Sequence, residues 1–381
     1  MRNNLQFCFL FSCIILMLYK GNAAQQGSVD SKYTTCSSEY CSATNHLQNE
    51  DCIQGGGCKH FEGELTSDNQ RIELAASSLL KCVNEDQPSP EINCDVTKSN
   101  QLLISSSCNC ENTFDHITND DIRSFTEELL KKDNSSLFQY FKYNIQGKAN
   151  KNPDVDEAPE HLLEVDDQAL QYPTVEKVIA LLDNYYPDAK TAEDVTEEEQ
   201  VEENEFLDAI MDTAVMNHTI DFLRQKGVFD GDREMFKNWL HLMWFSLYTR
   251  GYKRLSSSGF EHVFKGEVKK NTVLGMHNWI SYTLEERANH TNYYGWMKNK
   301  EFEKGSILTL RFKWNDKMKK IGSFFIGTSP EFEMALYSMC FILRNNKKCK
   351  FHLNGSKLFV RTYSICNKDN KRVVGSVYAG N

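Results

Sequence analysis

The placement of the thirteen cysteines constrains this 381-residue chain more than any other feature. Cys8 and Cys13 lie in a first apolar stretch, eight more crowd between Cys36 and Cys110, and none follows until Cys340, Cys349 and Cys366. A dense, even set reads as a disulfide framework if the chain is exported. The long cysteine-free stretch between must fold by burying apolar surface. Its N-terminal neighbour lacks the spacing of a zinc module: Cys36-x4-Cys41, Cys52-x5-Cys58 and Cys108-x-Cys110 form no CxxC pair of pairs. Cys340 and Cys349 are close enough to pair locally, which would leave Cys366 odd.

Export is what the N-terminus predicts. Met1-Arg2-Asn3-Asn4 is basic, Phe7 to Leu18 is apolar, and Gly21-Asn22-Ala23 is a small-x-small ending. Together they read as a secretory signal over residues 1–23. The apolar core is shorter than the about 20 residues of a membrane span, and no later segment is long and apolar enough to replace it. Sequons at Asn134, Asn217, Asn289 and Asn354 gain meaning in that compartment.

Residues 24–112, rich in Cys, Ser, Asn and Gly, read as a small disulfide-rich module and linker. From residue 113 the texture becomes that of an α+β domain. Helical patterns begin at Thr118, with Ile122, Phe125, Leu129 and Leu130 on one side, and recur over Thr174–Leu182, Phe206–Phe222 and Arg233–Tyr248. They predict a helical N-terminal lobe over about 113–250. The acidic run from Glu193 to Glu205 reads as a solvated helix or loop. After about residue 251 the period becomes two: Leu308, Leu310, Phe312 and Trp314 alternate with polar residues. Ser323–Ile326, Lys357–Ile365 and Arg372–Tyr378 look similar. Ser329-Pro330-Glu331 starts one more helix, with Phe332, Ala335, Leu336, Met339 and Leu343 as its buried stripe. The expected catalytic lobe, about 251–381, is thus built of antiparallel β-sheets.

Charge divides at the same place. Residues 251–381 carry 23 Lys and Arg against 10 Asp and Glu, a net of +13 hidden within an overall −10. Such a lobe suits a polyanion through phosphate attraction and counterion release. Within it lie His262 and His277. Two histidines can give and take a proton near neutral pH, the chemistry that cuts RNA through its own 2′-hydroxyl. Asn278 to Leu284 reads as a helix, which places His277 at a positive helix end that favours a neutral ring. Protease readings lack support, since neither Gly-x-Ser-x-Gly nor His-Glu-x-x-His occurs.

The stretch Ser258-Gly259-Phe260-Glu261-His262-Val263-Phe264-Lys265-Gly266-Glu267, the stretch around His277, and Lys319-Lys320-Ile321-Gly322-Ser323 running on to Tyr337 resemble the EndoU family of uridylate-specific, placental-protein-11-like endoribonucleases. The resemblance covers about residue 117 to the C-terminus and leaves the cysteine module aside. It implies a secreted enzyme that cleaves single-stranded, U-containing RNA and not DNA, leaving 2′,3′-cyclic phosphate and 5′-hydroxyl ends. His277 matches the general base, His262 the general acid, and Lys319 the cation that stabilises the charged phosphorus centre. Ser323 matches a serine of uracil recognition. Ser376-x-Tyr378 resembles a Ser/Thr-x-Tyr signature in which Tyr378 stacks on or orients the uridine. Thr362-Tyr363 fits that signature less well, because adjacent strand residues point apart. Alternation also puts Lys319, Ile321 and Ser323 on one face. Glu261 and Glu267 match acidic positions that would orient the histidines or contribute to a Mn2+ dependence. A monomer without a membrane span is expected, and a catalytically silent secreted RNA-binding protein is the alternative.

Overall fold

The computed structural model describes residues 114–250 and 253–381, together with the backbone of two short antiparallel strands, β1 (Tyr33–Thr35) and β2 (Lys59–Phe61). The signal segment and the eight clustered cysteines lie outside the described residues. The chain falls into two compact units, Met1–Glu91 and Ile92–Asn381. The second carries the features described below, and its fold is mixed α+β.

Capping chemistry places the helices. Helix α1 (Asn119–Lys132) is closed by a reciprocal capping box in which Thr118 Oγ1 accepts from Asp121 N and the Asp121 carboxylate accepts from Thr118 N. The strands β3 (Phe141–Tyr143) and β4 (Leu163–Val165) then pair antiparallel, an excursion the helical pattern did not announce. Helices α2 (Asp167–Leu170) and α3 (Pro173–Leu181) follow. The single helix expected over Phe206–Phe222 is two, α4 (Glu197–Met211) and α5 (Ala214–Gln225), because Thr213 caps a new start. The acidic run supplies the first turns of α4, whose own capping box joins Thr196 and Glu199. Glu193 departs from the solvated reading: it is buried, and burial pushes its carboxyl up to about 7. Helix α6 (Arg233–Phe245) buries Trp239 and Trp244, and the Trp244 indole donates to Ser338 Oγ.

The remaining strands form two sheets. β5 (Glu267–Lys269), β6 (Thr272–Leu274), β7 (Thr291–Phe302), β8 (Gly305–Trp314) and β9 (Lys317–Ile326) make one of order β5-β6-β9-β8-β7. It is antiparallel except for the β6–β9 contact at Thr272 and Met318, which is parallel. Helix α7 (Trp279–Arg287) follows β6, and helix α8 (Pro330–Leu343) follows β9. Every residue of α8 is buried, so the expected stripe is a helix enclosed on all sides. β10 (Lys348–Leu353), β11 (Ser356–Cys366) and β12 (Arg372–Gly380) form an antiparallel three-stranded sheet. Cys340 and Cys349 are bonded, with Cα atoms 5.5 Å apart, tying α8 to β10. Cys366 is disulfide-bonded too, which corrects the expectation that it is left over.

Candidate active site

The chain reaches the site through a wide turn. Glu261–Lys265 is a π-helical turn, a form enriched at functional sites and invisible to periodicity. It is held by a Ser-x-x-Glu box: Ser258 Oγ accepts from Glu261 N at 3.0 Å, and the Glu261 carboxylate accepts from Ser258 N at 3.2 Å. The Ser-x-x-Glu spacing that makes this box is visible in the sequence. Glu261 therefore shapes the turn and does not orient a histidine. Burial, with Glu267 and Glu193 nearby, pushes its carboxyl well up.

The second histidine segment is bonded directly to the first. Met276 N donates to His262 O at 2.9 Å, and His277 N to Val263 O at 2.7 Å. Gly275, at φ +62°, makes this approach possible: a Cβ there would lie 1.7 Å from His262 O. The centroids of the two imidazole rings lie 6.2 Å apart, with their planes tilted by 53°.

Each ring is oriented through Nδ1. His262 Nδ1 meets Glu267 Oε2 at 2.5 Å, and His277 Nδ1 meets the Ser323 carbonyl at 2.9 Å. A carbonyl only accepts, so His277 carries its proton on Nδ1 and leaves Nε2 as a base. Burial, then Lys319 and His262, lower the His277 pKa well below the ordinary value. The ring expected to be neutral at a helix start is kept so first by burial, with the Lys319 ammonium beside it. His277 precedes Asn278, the residue that caps α7. Burial and Arg250 bring His262 down to about 4 against the opposing pull of Glu267. Burial works to raise Glu267, but His262 and Arg250 outweigh it and hold the carboxyl below its usual range. The His262 imidazole is therefore neutral and donates to an ionised Glu267 paired with Arg250. The Arg250 Nε to Glu267 Oε2 distance is 3.2 Å.

Lys319 is buried with its Nζ donating to Gly275 O at 2.6 Å, and burial lowers its pKa to about 7. Strict alternation does not put it there. Phe312 pairs with Lys319 and Leu310 with Gly322, so Lys320 and Ile321 together oppose Arg311. This β-bulge turns Ile321 outward, 66% exposed, while Lys319 and Ser323 are both buried, which corrects the expectation that the three share a face. Ser323 Oγ donates to Ala379 O at 2.6 Å, beside Tyr378. Ser376 and Tyr378 share a face of β12: Ser376 Oγ lies 3.1 Å from His262 Nε2, and Tyr378 stacks on His277 at 5.4 Å. The fold thus brings together His262, His277, Lys319, Ser323, Ser376, Tyr378 and Glu267.

The model of the family described as Endoribonuclease XendoU matches residues 121–379. This chain belongs to the XendoU family. Among similar XendoU-family relatives, the human uridylate-specific endoribonuclease is 39% identical over 256 residues, 66% of this chain and 62% of the relative. The chain thus spans less than two thirds of that protein. Uridylate-specific endoribonuclease D of Xenopus laevis is 35% identical, across 68% of this chain and 88% of that one. The solved structure of XendoU, a splicing-independent snoRNA-processing endoribonuclease, is similar with a TM-score of 0.58 and 33% identity over 68% of this chain and 96% of that one.

Two features of the site escaped sequence reasoning. Arg250 donates to Gly375 O at 2.9 Å and to Tyr248 Oη at 2.8 Å, pinning the bulge that aims Ser376, yet nothing in its neighbourhood flags it. Tyr363, set aside on local alternation, pairs across the sheet with Ser376 and stacks on Tyr378 at 6.4 Å. Cross-strand register was the missing information. Among the described residues, no three His, Cys, Asp or Glu side chains are grouped to hold a metal ion. Glu267 is engaged by His262 and Arg250, whereas Glu261 offers one oxygen to Ser258 N and keeps Oε1 buried without a hydrogen-bond partner.

Proposed function

We propose that this chain is a secreted, monomeric endoribonuclease that cuts single-stranded RNA after uridylates. The observation that carries the reading is a pair of imidazoles with centroids 6.2 Å apart, each with Nδ1 engaged, beside a buried lysine. In the reaction His277 Nε2 takes the 2′-hydroxyl proton, and the 2′-oxygen forms a bond to phosphorus. The bond from phosphorus to the 5′-oxygen breaks, and His262 Nε2 protonates that oxygen. The products are a 2′,3′-cyclic phosphate and a 5′-hydroxyl. Lys319 compensates charge developing on the phosphoryl oxygens in a buried site, where a cation acts most strongly. The incoming phosphodiester, an anion next to Lys319 and Arg250, raises the proton affinity of His262 and so loads the acid. Tyr378 stacks the uracil and Ser323 addresses its edge.

Secretion is supported by the N-terminal pattern, by the Cys340–Cys349 disulfide, and by the exposure of all four sequon asparagines. The deciding experiment digests a single-uridine oligonucleotide with and without Mn2+ and reads the ends by mass spectrometry. Cyclic phosphate 3′ of uridine is expected; 5′-phosphate ends, or no cut, would refute the chemistry.

A further inference from the structure

The outward face of the three-stranded sheet continues from Tyr378 as a row of cations and rings. Register places Tyr378 opposite Arg361 and Arg361 opposite Lys348, with Tyr363 opposite Ser376 in the next row. Lys350 and Phe359 form the row beyond. The inward positions of β10 and β11, such as Cys349, Phe351, Leu358 and Val360, are buried, whereas Lys348 and Lys350 are exposed and Tyr363 is 42% exposed.

Two observations separate this face from an ordinary solvated one. Lys348 and Arg361 are like charges directly opposite one another, which costs sheet stability. No carboxylate occurs on any of the three strands to relieve them. Among the described residues, none of Lys348, Lys350 and Arg361 forms an ion pair with a carboxylate. The cations also lie over rings: Arg361 over Tyr363 at 4.9 Å and Lys348 over Phe359 at 4.3 Å. A cation row interleaved with rings and continuous with a base-stacking tyrosine is the composition of a single-strand platform, in which phosphates meet cations and bases meet π-faces.

We propose that this face binds the single-stranded RNA flanking the cleaved uridylate, with Tyr363 stacking a neighbouring base and Arg361, Lys348 and Lys350 tracking the backbone. The proposal rests on the reading of the site as an RNA-cleaving centre and extends it to longer substrates. An acidic protein segment is the competing occupant; the exposed ring of Tyr363 favours RNA, because every base offers a face to stack.

The test is equilibrium binding of a 2′-O-methyl 12-mer with one uridine, which cannot be cleaved, followed by fluorescence anisotropy across a salt series. Lys348→Gln with Lys350→Gln should weaken binding roughly tenfold and flatten the log–log salt slope by about 1.4, from about 0.7 per phosphate on a single strand. Tyr363→Ala should weaken it about tenfold with the slope unchanged, as loss of one stacked base does. Wild-type affinity and slope in the lysine variant would overturn the proposal, and so would a polyglutamate of equal charge binding as tightly as the RNA. The 12-mer reports on the surface without any reaction. Failure of the wild type to cut unmodified RNA, with salt-dependent binding intact, counts against the cleavage reading and leaves the surface supported.

Discussion

Glu267 touches both Arg250 and His262, and its charge raises the proton affinity of His262 and of Lys319. Glu267→Gln removes that pull, so both groups lose their protons at lower pH. Because acid catalysis and charge compensation need the protonated forms, the alkaline limb of the kcat/KM profile should move to lower pH, with the acid limb set by His277 little changed. A limb that stays in place would mean that Glu267 only supports structure. Gly275 gives a sharper test of geometry. Gly275→Ala drives a methyl into the His262 carbonyl and should cut kcat/KM by on the order of 100-fold, since small displacements of positioned groups carry such losses. Gly355→Ala, at φ +72° with nothing within 4 Å, is the control: it adds backbone strain of about 1 kcal/mol in a thermal melt and leaves kcat/KM unchanged. At this scale the resemblance made His262, His277 and Lys319 legible. Arg250 and Tyr363 were not, because their partners lie across the fold and no local pattern encodes that contact.

Among the elements, helix starts were the most readable features, because caps are local. Ser329 caps the helix expected of it, Thr118 rather than Asn119 caps the first, and Asn278, read as a first helical residue, is the cap of α7. Asn278 accepts from Ile280 N and donates to Glu333, so Asn278→Ala should lower unfolding free energy by about 1 kcal/mol in denaturant titration. It should also lower activity, since the next residue back is His277. Alternation failed where a strand gains a residue. The bulge at Lys320–Ile321 changes which side chains face the site, and a bulge arises from pairing between strands, which period two within one strand cannot display. Gly322 belongs to that device: a Cβ there would lie 2.9 Å from the Phe312 ring and 3.5 Å from Lys319 Cγ. Gly322→Ala should push aside the Phe312 ring, whose residue pairs with Lys319, and reduce kcat more than it reduces thermal stability, as compared by kinetics and melting on one preparation.

For the whole molecule, the mixed α+β class and the basic segment over 251–381 were readable from composition and period. The β3–β4 pair was not, because its two segments are short and separated by a long loop. The Cys340–Cys349 bridge closes a short loop between the enclosed helix α8 and the edge strand of the sheet that carries Tyr378. Cys340→Ser with Cys349→Ser should lower unfolding free energy by about 2–3 kcal/mol, measured by denaturant titration. The bonds from Met276 N to His262 O and from His277 N to Val263 O have a different reach. Both join main chain to main chain, so the span between acid and base is written into atoms that every amino acid shares. Most side-chain replacements can only retune protonation or substrate grip here; the gauge of the proton-transfer machinery changes where a replacement, such as one at Gly275, forces the backbone itself to reroute.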